Sequence, residues 1–209
     1  IYVIGSPDLD AMHSSNLPSA EEAFSYYEIP FDRYAVSILH PVTTELDLLK
    51  DYVEIYMRAL LESRRNYVVV CPNYDSGFST IRDSYQTITK SPRFKMFPFL
   101  MFEYFLTLMR SAQFIIGNLG SCIREASFYA VPSINVVTRQ TERSQSEQIM
   151  HSDFQVSNIL TAISRAETMT LKPFQEFGQG DSSKQFLRFL LSKDLWDRNI
   201  QKRFVSNFS

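Results

Sequence analysis

The sequence predicts an α/β fold, a parallel sheet covered by helices on both faces, and three observations predict it. Short apolar runs rich in β-branched and aromatic residues recur along the chain, as strands buried on both faces require. Amphipathic helical stretches fall between them. Finally, Phe114 to Gln140 reads in succession as an apolar strand, a small-residue turn, a helix start and a second apolar strand.

Taken in order, Ile1–Ile4 is an expected strand, and a start inside a strand with no initiator Met or leading loop reads as a fragment of a longer protein. Ala35–Leu39 is the next strand. The clearest helix is expected from about Glu45 to Ser63. Leu49, Tyr52, Val53, Tyr56, Met57, Leu60 and Leu61 recur there at helical spacing, while Asp51, Glu54, Arg58 and Glu62 take the other face. Thr44 with Asp47 three residues on resembles a capping box at its start. Strands follow at Tyr67–Cys71 and Phe94–Phe97, with a helix at Ser79–Ile88 between them and another at Phe102–Ser111. Strand Phe114–Gly117, helix Ile123–Tyr129 and strand Ser133–Val137 complete the central pattern, with Pro132 opening the last. Helices at Asn158–Arg165 and Ser183–Leu191 flank a loop, Lys172 to Ser183, marked by Pro173, Gly178 and Gly180. A final helical stretch ends near Trp196, and residues 197–209 read as a tail or docking segment.

Composition narrows the function classes. The 209 residues are 44% hydrophobic, enough for one domain over residues 1–209 that buries roughly 70% of its extended surface. The 21 basic and 23 acidic residues are interspersed without a basic stripe, so no nucleic-acid partner is expected. No apolar run approaches the ~20 residues needed to span a bilayer, so no membrane partner is expected either. Cys71 and Cys122 are too few for a disulfide scaffold and form no CxxC pair that would suggest zinc, which points to a reducing, cytoplasmic setting; no metal and no cofactor are expected.

In a parallel sheet of this kind, ligands sit beyond the carboxyl ends of the strands. Polar groups follow four of the expected strands: His40, Asn73, the turn Gly117-Asn118-Leu119-Gly120-Ser121, and Arg139. The first amides of a helix lack intrahelical acceptors and lie at its positive end, so the turn before the Ile123 helix suits a phosphate. Arginine grips phosphate oxygens bidentately. An imidazole, an amide, backbone donors and a guanidinium on one rim suit a nucleoside diphosphate.

These residues resemble the UDP-N-acetylglucosamine 2-epimerase family, particularly its hydrolysing branch. The phrases that carry the resemblance are GSPDLD (5–10), HPVTTE (40–45), PNYDSG (72–77), FEYFL (102–106), GNLGSCIREA (117–126), VPSINVVTRQ (131–140) and FGQGDSS (177–183). It implies a Rossmann-like nucleotide-binding domain, the C-terminal half of a two-domain GT-B-type fold like that of UDP-glycosyltransferases and glycogen phosphorylase. The partners it implies are UDP-GlcNAc or UDP and an N-terminal domain of the same protein; a homo-oligomer is a further expectation.

The resemblance also implies roles, each beside a plainer one. His40 would touch the substrate's phosphate or sugar hydroxyls and share in proton transfer, although a residue before Pro41 is also a natural strand end. Asn73 would lie near the nucleotide, or else cap a turn with Asp75 and Gly77. Phe102 would pack against uracil; by helical spacing it and Phe105 are core residues. The backbone amides of Gly120 and Ser121 would meet phosphate. Glu125 would accept hydrogen bonds from ribose hydroxyls, or else interact only with its helix end. Arg139 matches an arginine tied to nucleotide or substrate binding, or else is a solvated surface charge, and Arg143 matches a further family arginine expected at the same site. His13 and His151 match no motif and read as surface residues.

Several positions depart from the family pattern. Relatives commonly read GNSS, then a small residue and Gly before an IRE or VRE triplet, where this chain follows Gly117-Asn118 with Leu119-Gly120-Ser121-Cys122, and Val137 and Glu142 stand where glycines are common. These changes bear on substrate geometry more than on fold. The implied reaction converts UDP-GlcNAc and water to N-acetylmannosamine and UDP, by elimination of UDP and hydration of an unsaturated sugar. In relatives the carboxylates that move protons lie mainly in the first domain, so this chain by itself is expected to be inactive. A non-hydrolysing 2-epimerase, the donor domain of a GT-B glycosyltransferase and a catalytically inactive UDP-sugar-binding module are the alternatives.

Overall fold

In the computed structural model, which describes residues 2–120, 124–138, 149–174 and 177–197, the elements follow in chain order. They are α1 (Pro7–Met12), α2 (Ala20–Tyr26), β1 (Ala35–Ile38), α3 (Leu49–Ser63), β2 (Tyr67–Val70), α4 (Phe78–Tyr85), β3 (Phe94–Phe97) and α5 (Phe102–Arg110). Then come β4 (Ile115–Gly117), α6 (Arg124–Phe128), β5 (Ser133–Val136), β6 (Ile149–Ser152), α7 (Val156–Ala166), α8 (Ser182–Leu190) and α9 (Lys193–Trp196). The described strands pair in parallel in the order β3-β2-β1-β4-β5-β6. That order is the doubly wound one, and it reverses direction between β1 and β4.

By contacts the chain divides into two compact units, Ser15–Glu176 and the described parts of Ile1–Ser14 with Phe177–Ser209. The larger unit holds the sheet. Its strands are short and apolar because both faces are covered: Val36, Val68, Ile115, Ile116, Ile134 and Val136 are fully buried. Helix α3 buries Leu49, Val53, Tyr56, Met57, Ala59 and Leu60 on one stripe. Each large aliphatic side chain so buried contributes roughly 1.5–3 kcal/mol. Tyr56 does more than fill space. Its hydroxyl donates to the Ile116 carbonyl at 3.1 Å and accepts from Ser37 Oγ at 2.8 Å, joining β4 to β1 below the point where the order reverses.

The smaller unit joins α1, α8 and α9. Asp10 on α1 accepts from the Ser182 and Ser183 amides at 2.9 and 2.8 Å and from Ser182 Oγ at 2.9 Å, so α8 is capped by a carboxylate from another helix. The Ser183 hydrogen bonds above all hold its pKa at about 2.

Two sequence expectations need correction. Residues 2–4 of the expected Ile1–Ile4 strand form none: Tyr2 and Val3 are exposed, and the backbone leaves extended geometry at Gly5, whose φ is +82°. Pro7, at the first turn of α1, then starts a helix. The Thr44–Asp47 capping box is absent. A 3-10 turn at Leu46–Leu48 precedes α3 instead, with no side-chain cap on either: the α3 N-cap is Leu48, which has no polar side chain, and Glu45, before the 3-10 turn, accepts from Thr138. A capping box does form at α2, where Ser19 Oγ accepts from the Glu22 amide and Glu22 accepts from the Ser19 amide. Three elements, α1, α2 and the edge strand β6, were not expected. The 197–209 tail lies almost wholly outside the described residues.

Candidate functional site

Because the strands are parallel, the segments after β2, β1, β4 and β5 leave the same edge of the sheet. His40 follows β1 and the Gly117–Gly120 turn follows β4, so these two flank the reversal of strand order. Asn73 follows β2 on one side, and Thr138 follows β5 on the other. The rim expected from the sequence is therefore a single edge for every described member.

Two local features bind the β1 and β4 ends together. Gly117 crosses β1 so closely that a Cβ there would lie 1.7 Å from the Ile38 carbonyl oxygen. No side chain fits such an approach, which is why the strand ends in glycine. Immediately after it, Asn118 Oδ1 accepts from the His40 amide at 2.8 Å, and Asn118 Nδ2 donates to the His40 carbonyl at 2.9 Å. One side chain thus imitates a ladder partner for His40 where the strands have already ended. The sequence reading named Asn118 as a strand stop and missed this role; its adjacency to the obligatory glycine was the available signal.

His40 itself is partly buried. Burial lowers its imidazole pKa below the ordinary value, and the Asp75 carboxylate pulls partly the other way. Burial thus favours the neutral ring, in which one nitrogen can donate and the other accept.

Glu45, at the far end of the HPVTTE stretch, accepts from Thr138 Oγ1 at 3.0 Å and ties the loop after β1 to the loop after β5. Burial and this same carboxylate raise the Tyr52 pKa. Sequence reasoning missed this contact, since nothing local links positions 45 and 138.

The remaining expected residues separate cleanly. Phe105 is core, 8% exposed, whereas Phe102, on the first turn of α5 beyond β3, is 40% exposed on the rim. Asn73 is exposed, and the neighbouring Tyr74 ring packs against Phe78 at 4.5 Å. Glu125 sits in the first turn of α6, 3% exposed, with Oε1 3.6 Å from Arg124 Nη2. A Cβ on Gly120 would meet nothing within 4 Å, so the turn leaves open space there. Ser121, Arg139 and Arg143 lie outside the described residues. His13 and His151 are exposed, as expected. Among the described residues no cluster of His, Cys, Asp and Glu is arranged to hold a metal ion, and no helix is long and apolar enough to cross a membrane.

Comparison with known proteins adds a second line. A family model described as UDP-N-acetylglucosamine 2-epimerase matches residues 1–191. The chain is 41% identical over 211 residues to a UDP-N-acetylglucosamine 2-epimerase of Neisseria meningitidis serogroup B, covering 98% of this chain and 55% of that protein. It is 25% identical over 205 residues to a hydrolysing UDP-N,N'-diacetylbacillosamine 2-epimerase of Legionella pneumophila, covering 97% and 54%. In fold it is similar to the Methanocaldococcus jannaschii UDP-GlcNAc 2-epimerase in complex with UDP-GlcNAc and UDP, with a TM-score of 0.73 at 15% identity over 91% of this chain and 54% of that one. The chain spans about half the length of the relatives it matches.

Proposed function

Because the chain belongs to the UDP-N-acetylglucosamine 2-epimerase family, we propose that the whole protein is a hydrolysing UDP-GlcNAc 2-epimerase and that the carboxyl edge described above holds the UDP moiety. The observation that carries the reading is the partly buried His40, its backbone held by Asn118, at the point where the strand order reverses. A ligand in that crevice would meet His40 and the open turn at Gly120, with Glu125 one helical turn beyond.

The chemistry requires two things. A base must take the C2 proton while the C1–O bond breaks and UDP departs; water then adds at C1 as a proton returns to C2 on the other face. The departing diphosphate must also be stabilised where its charge develops. This edge suits the second task. His40 would donate to a diphosphate or sugar oxygen, the Gly120 and Ser121 amides and Arg139 would meet phosphate, Glu125 would accept from ribose hydroxyls, and Phe102 would pack on uracil, with Asn73 and Arg143 close by. The first task falls to carboxylates of a second domain, so the 209-residue chain by itself would bind and not turn over. The hydrolysing outcome draws on the Legionella relative, which is named hydrolysing, as is a Campylobacter jejuni GDP/UDP-N,N'-diacetylbacillosamine 2-epimerase 24% identical over 177 residues.

The test is incubation of the full-length protein with UDP-GlcNAc and no acceptor. Free UDP with N-acetylmannosamine is the expected result. An epimerised UDP-sugar would assign the non-hydrolysing reaction, release of UDP only with an acceptor would make it a transferase, and binding without turnover a sugar-nucleotide sensor. For the binding role, Arg139→Ala should weaken UDP far more than uridine; equal losses would remove that arginine from the phosphate site.

A further inference from the structure

We propose a second anion site in the sheet-bearing unit, at the amino edge of the sheet, which takes a compact doubly charged group of the phosphate type. Arg33, Arg64, Arg65, Asn66, Gln113 and Glu167 line a cavity of about 360 Å³ there. Arg33 lies two residues before β1, Asn66 one residue before β2 and Gln113 two before β4, so the cavity opens beneath the strand starts. With a rise of ~3.3 Å per residue, the run from Arg33 to His40 places it roughly 20 Å from the opposite rim.

The charge in this cavity is uneven. Arg65 is matched by Glu167 in a two-pronged pair, Nε to Oε1 at 2.5 Å and Nη2 to Oε2 at 2.8 Å. Arg33 and Arg64 have no ion pair with a carboxylate among the described residues. Two positive charges therefore remain, which a dianion would neutralise and a single carboxylate would not.

Arg33 is also held in place. Gln113, with its amide oxygen turned toward the guanidinium, accepts from Arg33 Nη2 at 2.6 Å and from Nε at 3.2 Å. Asn66 Nδ2 donates to the Arg33 carbonyl at 3.0 Å. Such anchoring leaves the other guanidinium edge free to present a planar fork to phosphate oxygens, with less side-chain freedom to lose on binding.

Helix polarity accounts for part of this arrangement. Arg64 and Arg65 follow the carboxyl end of α3, where cations are favoured. It does not account for Arg33, which reaches the cavity from a different segment, or for Gln113, which orients it. Arg64 also holds a left-handed backbone, with φ of 57°, a conformation in which a non-glycine residue is strained.

Inorganic phosphate at mildly alkaline pH, where it is mainly the dianion, is the probe, added to the 209-residue chain at about 0.15 M ionic strength with UDP already saturating the opposite edge. Amide shifts at Arg64, Asn66 and Gln113 should move saturably at sub-millimolar probe. Arg33→Ala should weaken that binding roughly tenfold or more, and Arg33→Lys, which keeps the charge and loses the fork, should recover only part of it. UDP affinity should be unchanged in both variants. The site is refuted if those amides do not saturate, if Arg33→Ala binds as wild type, if chloride displaces the probe as readily as sulfate does, or if shifts appear only around His40. Because UDP occupancy is read separately, failure here leaves the nucleotide reading standing, and failure there leaves this one.

Discussion

Replacing Asn118 should show whether one side chain holds the candidate site in place. Asn118→Ala removes an acceptor from the His40 amide and a donor from the His40 carbonyl, at 2.8 and 2.9 Å. Each neutral hydrogen bond contributes about 1 kcal/mol net, and a backbone group left unpaired away from water costs about 1–3 kcal/mol. Both groups are only partly buried, so water recovers some of that loss, and the expected cost is about 2–3 kcal/mol in total. Urea denaturation should show a lower midpoint at unchanged slope. Asn118→Asp sharpens the test. A carboxylate still accepts from the His40 amide, but its second oxygen faces a carbonyl unless it carries a proton. The folded-state pKa of the new carboxyl should rise above its unfolded value of about 3.9, so its stabilising form is complete below that pH and lost as pH rises through the folded pKa. The variant should therefore approach wild-type stability in acid and fall away toward neutral pH. An alanine variant within about 0.5 kcal/mol of wild type, or an aspartate variant whose deficit does not change with pH, would refute the clamp.

Three further outcomes follow from the geometry. Gly117→Ala would put a methyl 1.7 Å from the Ile38 carbonyl oxygen, which belongs to the backbone and cannot swing aside, and should cost more than about 4 kcal/mol; a soluble variant with an unchanged Tm would overturn the close approach. Asp10 has its pKa depressed to about 2 by the start of α8, so its contribution is present above about pH 4 and lost as pH falls toward 2. The carboxylate is only partly buried and solvent screens it, which reduces its worth to about 1 kcal/mol, and Asp10→Asn should flatten the stability profile across that acid window. For His40, burial lowers the pKa and Asp75 raises it, so Asp75→Asn should lower the imidazole pKa further in an NMR titration; a rise would contradict that sign. The lowered value also means that His40 favours the folded state fully above about pH 6.5 and that this is lost as pH falls from there toward the folded pKa.

The central strands and long helices were legible because their signals are local and repeated. Val36, Val68, Ile116 and Ile134 sit in apolar runs that fit a sheet covered on both sides, and α3 writes its buried stripe into its own spacing. The edge strand β6 was not. Its sequence, Ile149-Met150-His151-Ser152, has two apolar residues and no turn signals, and its pairing with β5 supplies what its composition does not. Helix α2 had a legible start, since Ser19 with Glu22 three residues on is the capping-box pattern, but its buried face is limited to Ala23. Ile1–Ile4 misled for the opposite reason: apolar residues suggested a strand where the backbone turns at Gly5 and no partner pairs with it.

At the site, residue types were legible and contacts were not. His40, Asn73 and the glycine turn were placed on one rim by strand ends alone, whereas the two-sided grip of Asn118 on His40 joins positions 78 residues apart.

That grip bears directly on the unusual turn. The frame around the reversal of strand order is held by Tyr56, which joins Ser37 to Ile116 below it, and by Gly117 and Asn118, which fasten β4 to Ile38 and His40 above it. All of these residues precede Leu119. The shift from the common GNSS pattern to Leu119-Gly120-Ser121-Cys122 therefore begins just after the last residue that sets the position of His40. On the proposed reading, changes there would alter which donors face a ligand while leaving the His40 backbone in place. Returning the turn toward GNSS should change UDP affinity while leaving the His40 pKa where it is. A joint change in both would show that the turn and the clamp are one mechanical unit.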